Sequence, residues 1–439
     1  MEESLLNPDD LPSFEIETIA EANIKSPLED VLFIDDSEKV TFYSHYDRLK
    51  KFIDRGKEPP LFERAGPRRN ICFEPSKLNC GVVTCGGLCP GLNDVIRAIT
   101  LTLVWDYGVR NVYGFRYGYK GLTNDPYREP LVLTPELVED IHLRGGDILS
   151  SSRGPQDIDE MIDTLVKMNI RLLFVIGGDG TLRGASEMVA VIKSRKLKIS
   201  VIGIPKTIDN DICGVERTFG FSTAVEAATA ALNVAHEEAK GAWDGVGLVK
   251  LMGRDSGFIA AYATLANSDV NYCFIPEIPL VLDGEEGFLK SLEKRLARKH
   301  HALIVVAEGV GQSLEGQNDM SGNVSREDIG LLLKTRITEY FKSINKPLVM
   351  KYIDPSYTIR GCAANSFDSA FCLMLGQNAV HAGMAGKTNM IVGFWNRYFT
   401  NVPISFAIKE RKKVGLQGDL WQTVIQTTGQ AKKKPVRPF

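Results

Sequence analysis

The chain has 439 residues, 44% of them hydrophobic and 24% charged, with a formal net charge of −3. Single cores stop growing near about 250 to 300 residues, so the length excludes one compact core and predicts two domains plus an extension. The balanced charge excludes a global footprint for nucleic acid or an anionic membrane, and no apolar run approaches the ~18 residues of a spanning helix.

The first residues, MEESLLNPDD, have neither the basic nor the apolar region of a signal peptide, and the eight cysteines follow no framework spacing. The expectation is a cytoplasmic protein with free thiols. Residues 1–79 carry many Pro, Glu, Asp and Ser but also Phe33, Phe42, Tyr43, Phe52 and Phe62. That many aromatics predict an extension that packs onto something.

From Asn79 the pattern becomes short apolar runs ending in Gly, Pro or Asp, each followed by helical periodicity, as in βα units of a parallel sheet. Gly81–Thr84 reads as a strand, and the helix after it sets Leu92, Val95, Ile96, Ile99 and Leu103 on one face. Leu172–Ile176 is wholly apolar, as where helices cover both sheet faces. Further strands are predicted at Ile199–Ile204, Gly247–Met252, Tyr272–Ile275, Ala302–Ala307 and Leu348–Tyr352. Ligands of open α/β sheets bind beyond the carboxyl ends of the strands, so chemistry is sought in the loops there. The closing basic stretch from Ala431 is read as a solvated tail.

Gly86-Gly87-Leu88-Cys89-Pro90-Gly91 lies between a strand and a helix, where backbone N–H groups can approach a phosphate; a tight turn without ligand is the other reading. In Gly177-Gly178-Asp179-Gly180-Thr181 the carboxylate stands among glycines that leave a nucleotide room, and Asp179 suits Mg²⁺, a hard cation. The same Asp would also cap the helix that begins there. Pro205-Lys206-Thr207-Ile208-Asp209-Asn210-Asp211 carries carboxylates at i and i+2, which point the same way if the segment is extended. One could then take a hydroxyl proton and the other orient a cation, or the cluster could be a polar turn.

Met252-Gly253-Arg254, Glu308 and Tyr357-Thr358-Ile359-Arg360 also follow strands. Arginine forks suit phosphate and a carboxylate accepts from sugar hydroxyls, although surface ion pairs and helix ends would use the same residues. Cys85 and Cys89 lack a matching Cys or His pair, which argues against a zinc site, and Cys89 reads as packing.

These segments, in this order over roughly residues 80–380, resemble the 6-phosphofructokinase family. The resemblance implies an α/β fold of two Rossmann-like three-layer domains with parallel-rich sheets plus the extension at 1–79. The nucleotide-binding domain would be 80–214, rejoined by part of 385–439, and the sugar-phosphate domain 215–384. It implies transfer of the γ-phosphoryl group of ATP to the 1-hydroxyl of fructose 6-phosphate, with Mg²⁺ on Asp179. Gly87, Arg153, Gly154, Gly178, Asp179, Gly180 and Thr181 would meet ATP, and Asp209 would be the catalytic base, with Asp211 supporting metal or base. Thr207, Ile208, Asp209, Met252, Gly253, Arg254, Glu308, Tyr357, Thr358, Ile359 and Arg360 would contact the sugar phosphate.

The chain is most similar to the branch containing plant and trypanosomatid ATP-dependent enzymes, which carry PKTIDND and a long N-terminal extension. Lys206 is also shared with pyrophosphate-dependent relatives, where Asp typically stands at the position of Gly180 and would crowd the α-phosphate of ATP. Glycine there favours ATP. The family further implies a homo-oligomer, a dimer or tetramer, under allosteric control. Lys351 and the stretch Trp243–Gly247 depart from the shorter bacterial enzymes at positions used across their subunit interface.

Overall fold

The computed structural model describes residues 13–123, 129–311 and 328–430; the basic tail from Ala431 lies outside them. Contacts divide the chain into two compact units, Met1–Gly220 with Gly361–Arg411, and Phe221–Arg360 with Lys412–Phe439.

The first unit is built on a nine-stranded sheet. Its order is Lys39–Thr41, Leu61–Arg64, Tyr398–Pro403, Met390–Trp395, Ser200–Pro205, Ile170–Gly177, Asn79–Thr84, Asn111–Phe115 and Leu131–Val132. The five strands from Met390–Trp395 to Asn111–Phe115 are parallel, and antiparallel strands extend both sides. Period-2 alternation assigns the faces. Leu173 and Val175 pack in the core with Leu182 and Ala185 of the helix Asp179–Ser194, whereas Leu172 meets Gly383 of the helix Ser366–Met384. Helices on both faces account for the unbroken apolar strands.

The aromatic extension joins this sheet. Lys39–Thr41 pairs with Leu61–Arg64, which pairs with Tyr398–Pro403, and the Phe42 ring stacks on Trp395 with centroids 4.9 Å apart. Phe52 and Phe62 are fully buried. Below this layer Glu63 accepts hydrogen bonds from Arg68, Lys387 and Asn401, which pairs the charges that burial would otherwise penalise.

The second unit holds a parallel sheet ordered Tyr272–Phe274, His301–Ala307, Gly245–Leu251 and Val349–Ile353. The helices Phe221–Lys240 and Phe258–Asn267 pack on it. The seven strands expected from the sequence fall within two residues of observed ones, the usual latitude of element ends, whereas Asn111–Phe115, Met390–Trp395 and Tyr398–Pro403 were not foreseen.

Residues 361–384 and 215–220, expected in the sugar-phosphate domain, sit in the first unit. The physical cause is the helix Ser366–Met384, whose buried residues pack on the helix Leu92–Leu101 and on the strand Ser200–Pro205. Among the described residues no helix is long and apolar enough to cross a membrane.

Candidate active site

In the first unit Thr84 lies opposite Ile176 and Gly177 opposite Pro205, so three loops leave the parallel strands side by side. Lys206 ties two of them together. Its backbone N–H donates to Gly177 O at 2.9 Å, and its buried ammonium donates to Gly87 O at 2.5 Å. Burial pushes this lysine down from its ordinary range, with Asp147 among the groups opposing that push.

Asp147 in turn accepts from Thr84 Oγ1 at 2.6 Å and from the Leu149 N–H at 2.9 Å, while burial raises its carboxyl. Ser151 Oγ donates to Gly86 O at 2.6 Å. Arg153 is exposed, and its guanidinium lies 3.5 Å from where a Cβ on Gly87 would stand. Cys85 and Cys89 are buried and form no disulfide, and Cys89 Sγ donates to Phe219 O at 3.5 Å.

At the next loop Gly178 precedes the helix Asp179–Ser194, whose N-terminus favours negative charge. A Cβ on Gly177 would stand 2.4 Å from Thr181 Cβ, so only glycine fits where strand turns into helix. A Cβ on Gly180 would meet nothing within 4 Å. The Asp179 carboxylate accepts from Arg183 one turn on, at 3.1 Å, and Tyr119 OH donates to Thr181 O at 2.7 Å. Burial drives the Tyr119 phenol well above its usual range, so it remains a donor.

After Pro205 the chain is not extended. Asn210 adopts a left-handed conformation, φ 55°, so Asp209 and Asp211 do not share the alternating register expected of an i, i+2 pair. Asp209 is half-buried and its N–H donates to Thr207 Oγ1 at 3.2 Å. Asp211 is buried, accepting from Thr207 Oγ1 at 2.8 Å and from Arg411 at 2.5 Å. Both its oxygens are engaged by protein groups.

In the second unit each candidate segment again follows a parallel strand. Met252 is buried; Gly253 has φ 129°, and a Cβ there would stand 2.5 Å from Ser256 O. The Gly309 N–H donates to Gly253 O at 3.0 Å, which holds the turn bearing Arg254 beside the one bearing Glu308. Tyr357, Thr358, Ile359 and Arg360 form the short helix Ser356–Gly361, with Ile359 buried and Tyr357 86% exposed. Lys351 pairs with Glu238 at 2.9 Å.

Among the described residues no group of three or more His, Cys, Asp or Glu could cage a metal. The Asp179 carboxylate, at a helix N-terminus beside glycines, suits a hard ion that takes its other ligands from phosphate oxygens and water.

The phosphofructokinase family model matches residues 79–383, more than half of the chain. The chain belongs to this family. It is 47% identical over 95% of its length to the ATP-dependent 6-phosphofructokinase of Borreliella burgdorferi, of which it covers 96%. The ATP-dependent 6-phosphofructokinase of Trypanosoma brucei brucei is 46% identical, with 84% of this chain and 77% of that protein covered. Among solved structures, a pyrophosphate-dependent phosphofructokinase from Marinobacter aquaeolei superposes with a TM-score of 0.66 at 21% identity, over 81% of this chain and 92% of that one. At that identity the likeness establishes the α/β fold alone.

For this phosphofructokinase, reading the sequence missed Asp147, Tyr119, Glu277 and Arg411. Glu277 Oε1 accepts the N–H groups of Gly257 and Val414, at 3.1 and 2.8 Å, and so fixes the start of the helix Phe258–Asn267 that follows Arg254. None of the four stands in a motif. Each acts from a distant stretch of chain, and no local pattern marks it.

Proposed function

We propose that the chain is an ATP-dependent 6-phosphofructokinase, moving the γ-phosphoryl group of Mg-ATP to the 1-hydroxyl of fructose 6-phosphate to give fructose 1,6-bisphosphate and ADP. The observation that carries this reading is the near end-to-end match to relatives named for that activity.

Phosphoryl transfer asks little covalent chemistry of a protein beyond positioning and charge stabilisation. Gly87, Arg153, Gly154 and Gly178–Thr181 take the nucleotide, with the helix N-terminus at Asp179 favouring its phosphates. Asp179 would hold Mg²⁺, which when bound would neutralise charge on the phosphate oxygens. Asp209 accepts the proton of the attacking hydroxyl as general base. Thr207, Ile208, Met252, Gly253, Arg254, Glu308 and Tyr357–Arg360 are the positions for the sugar phosphate, Arg254 and Arg360 supplying forks for its phosphate. The two compact units correspond to a nucleotide-binding and a sugar-phosphate-binding domain. A homo-oligomer, allosteric control and a cytoplasmic location complete the proposal.

Lys206 favours a second reading, pyrophosphate as donor, because the pyrophosphate enzymes share it. The open position at Gly180 favours ATP. A coupled assay of fructose 1,6-bisphosphate formation, supplying Mg²⁺ with ATP or with pyrophosphate, decides between them. Turnover with ATP alone is expected; turnover with pyrophosphate alone would replace the donor, and none with either would end both readings.

A further inference from the structure

The buried carboxylate of Asp211 needs an account, since an ionised group out of water is tolerated only when paired and hydrogen-bonded. One oxygen receives Arg411 Nη1 at 2.5 Å and the other receives Thr207 Oγ1 at 2.8 Å. A hydroxyl has one proton to give. With that proton directed at Asp211, Thr207 Oγ1 turns a lone pair toward the Asp209 N–H, 3.2 Å away. The guanidinium thus acts on the Asp209 backbone through two intermediate groups.

Other contacts hold the same turn from within. Thr218 Oγ1 donates to Thr207 O at 2.6 Å, and the Thr218 N–H donates to Asn210 Oδ1 at 3.0 Å. Arg411 comes from the far end of the chain, presented by an antiparallel backbone bridge to Ile212. It lies outside the residues 79–383 that the family model covers.

We propose that Arg411 is a positioning residue for phosphoryl transfer, orienting Asp209 through Asp211 and Thr207. The proposal rests on Asp209 being the general base. Its effect belongs to the transfer step, because a misplacement of about 1 Å at a reacting group costs on the order of 10²-fold in rate without any contact to substrate being lost.

The test uses the full-length chain. In R411Q, kcat is expected to fall about 10- to 100-fold, with KM for ATP and for fructose 6-phosphate within about twofold of wild type and most of kcat restored in R411K. Residues in one hydrogen-bonded chain couple non-additively, so D211N/R411Q should be no slower than D211N alone. Should R411Q fold poorly, that comparison still decides, since D211N removes the charge that Arg411 offsets. Wild-type kcat in R411Q, a change confined to KM, or fully additive losses in the double variant would each overturn the proposal. The wild-type enzyme measured alongside separates the two claims: its inactivity would count against the phosphofructokinase reading, whereas an active wild type with unaffected variants counts against Arg411 alone.

Discussion

At Gly177 the backbone is packed tightly against Thr181, whereas Tyr357 stands in solvent. At the first place a single added methyl group would overlap Thr181 and a buried lysine bridges neighbouring loops. At the second, a short helix leaves Tyr357 86% exposed while only Ile359 is anchored in the core. On the proposed reading, the nucleotide positions lie on loops shaped by close backbone packing, and the sugar-phosphate positions are side chains on strand-end turns.

That contrast can be broken in a graded way. The largest effect is expected at the reacting group itself. Asp209→Asn should keep the wild-type melting temperature and lose about 10² to 10⁴-fold in kcat; a folded variant with near-normal turnover would remove Asp209 as the base.

Next comes the tightly packed backbone. Overpacking typically costs about 1 to 3 kcal/mol, so Gly177→Ala should lower stability in urea titration by that amount. Gly180→Ala, three residues on and facing open space, should leave stability unchanged or slightly raised by helix propensity. Equal effects at the two positions would deny the tight packing described for Gly177.

Gly180→Asp tests the donor at a position where a Cβ meets no protein atom within 4 Å. KM for ATP should rise at least about tenfold, the equivalent of 1.4 kcal/mol, with an unchanged melting curve; unaltered ATP kinetics would leave donor choice to another residue.

The smallest effect is expected on the exposed side. Tyr357→Phe should change stability by less than about 0.5 kcal/mol, as for most surface substitutions. KM for fructose 6-phosphate should rise about two- to tenfold, the worth of one hydrogen bond. A large loss of stability there would erase the difference between the halves.

Much of the candidate site was legible because its residues sit at the carboxyl ends of strands, and strands announce themselves as apolar runs. Asp179, Asp209, Arg254 and Glu308 all stand where such a run stops. The pairing of Asp209 with Asp211 holds only for an extended segment, and Asn210 turns left-handed, so of the two readings the polar turn is the one found. The reach of the extension was half-read: Phe42 and Phe62 marked it as packed, but nothing in 1–79 tells that it supplies two strands of the main sheet.

What the sequence by itself determined is the local chemistry: which strands are buried, where glycine clears room for phosphate, and which carboxylates and arginines follow them. Period and composition are properties of neighbouring residues, and they survive without a fold. Tertiary structure alone decided which unit receives the helix Ser366–Met384, what Lys206 binds and that Asp211 is claimed by Arg411. Those outcomes depend on residues 100 or more positions apart meeting in space, and a buried charge takes whichever partner the packing brings within reach.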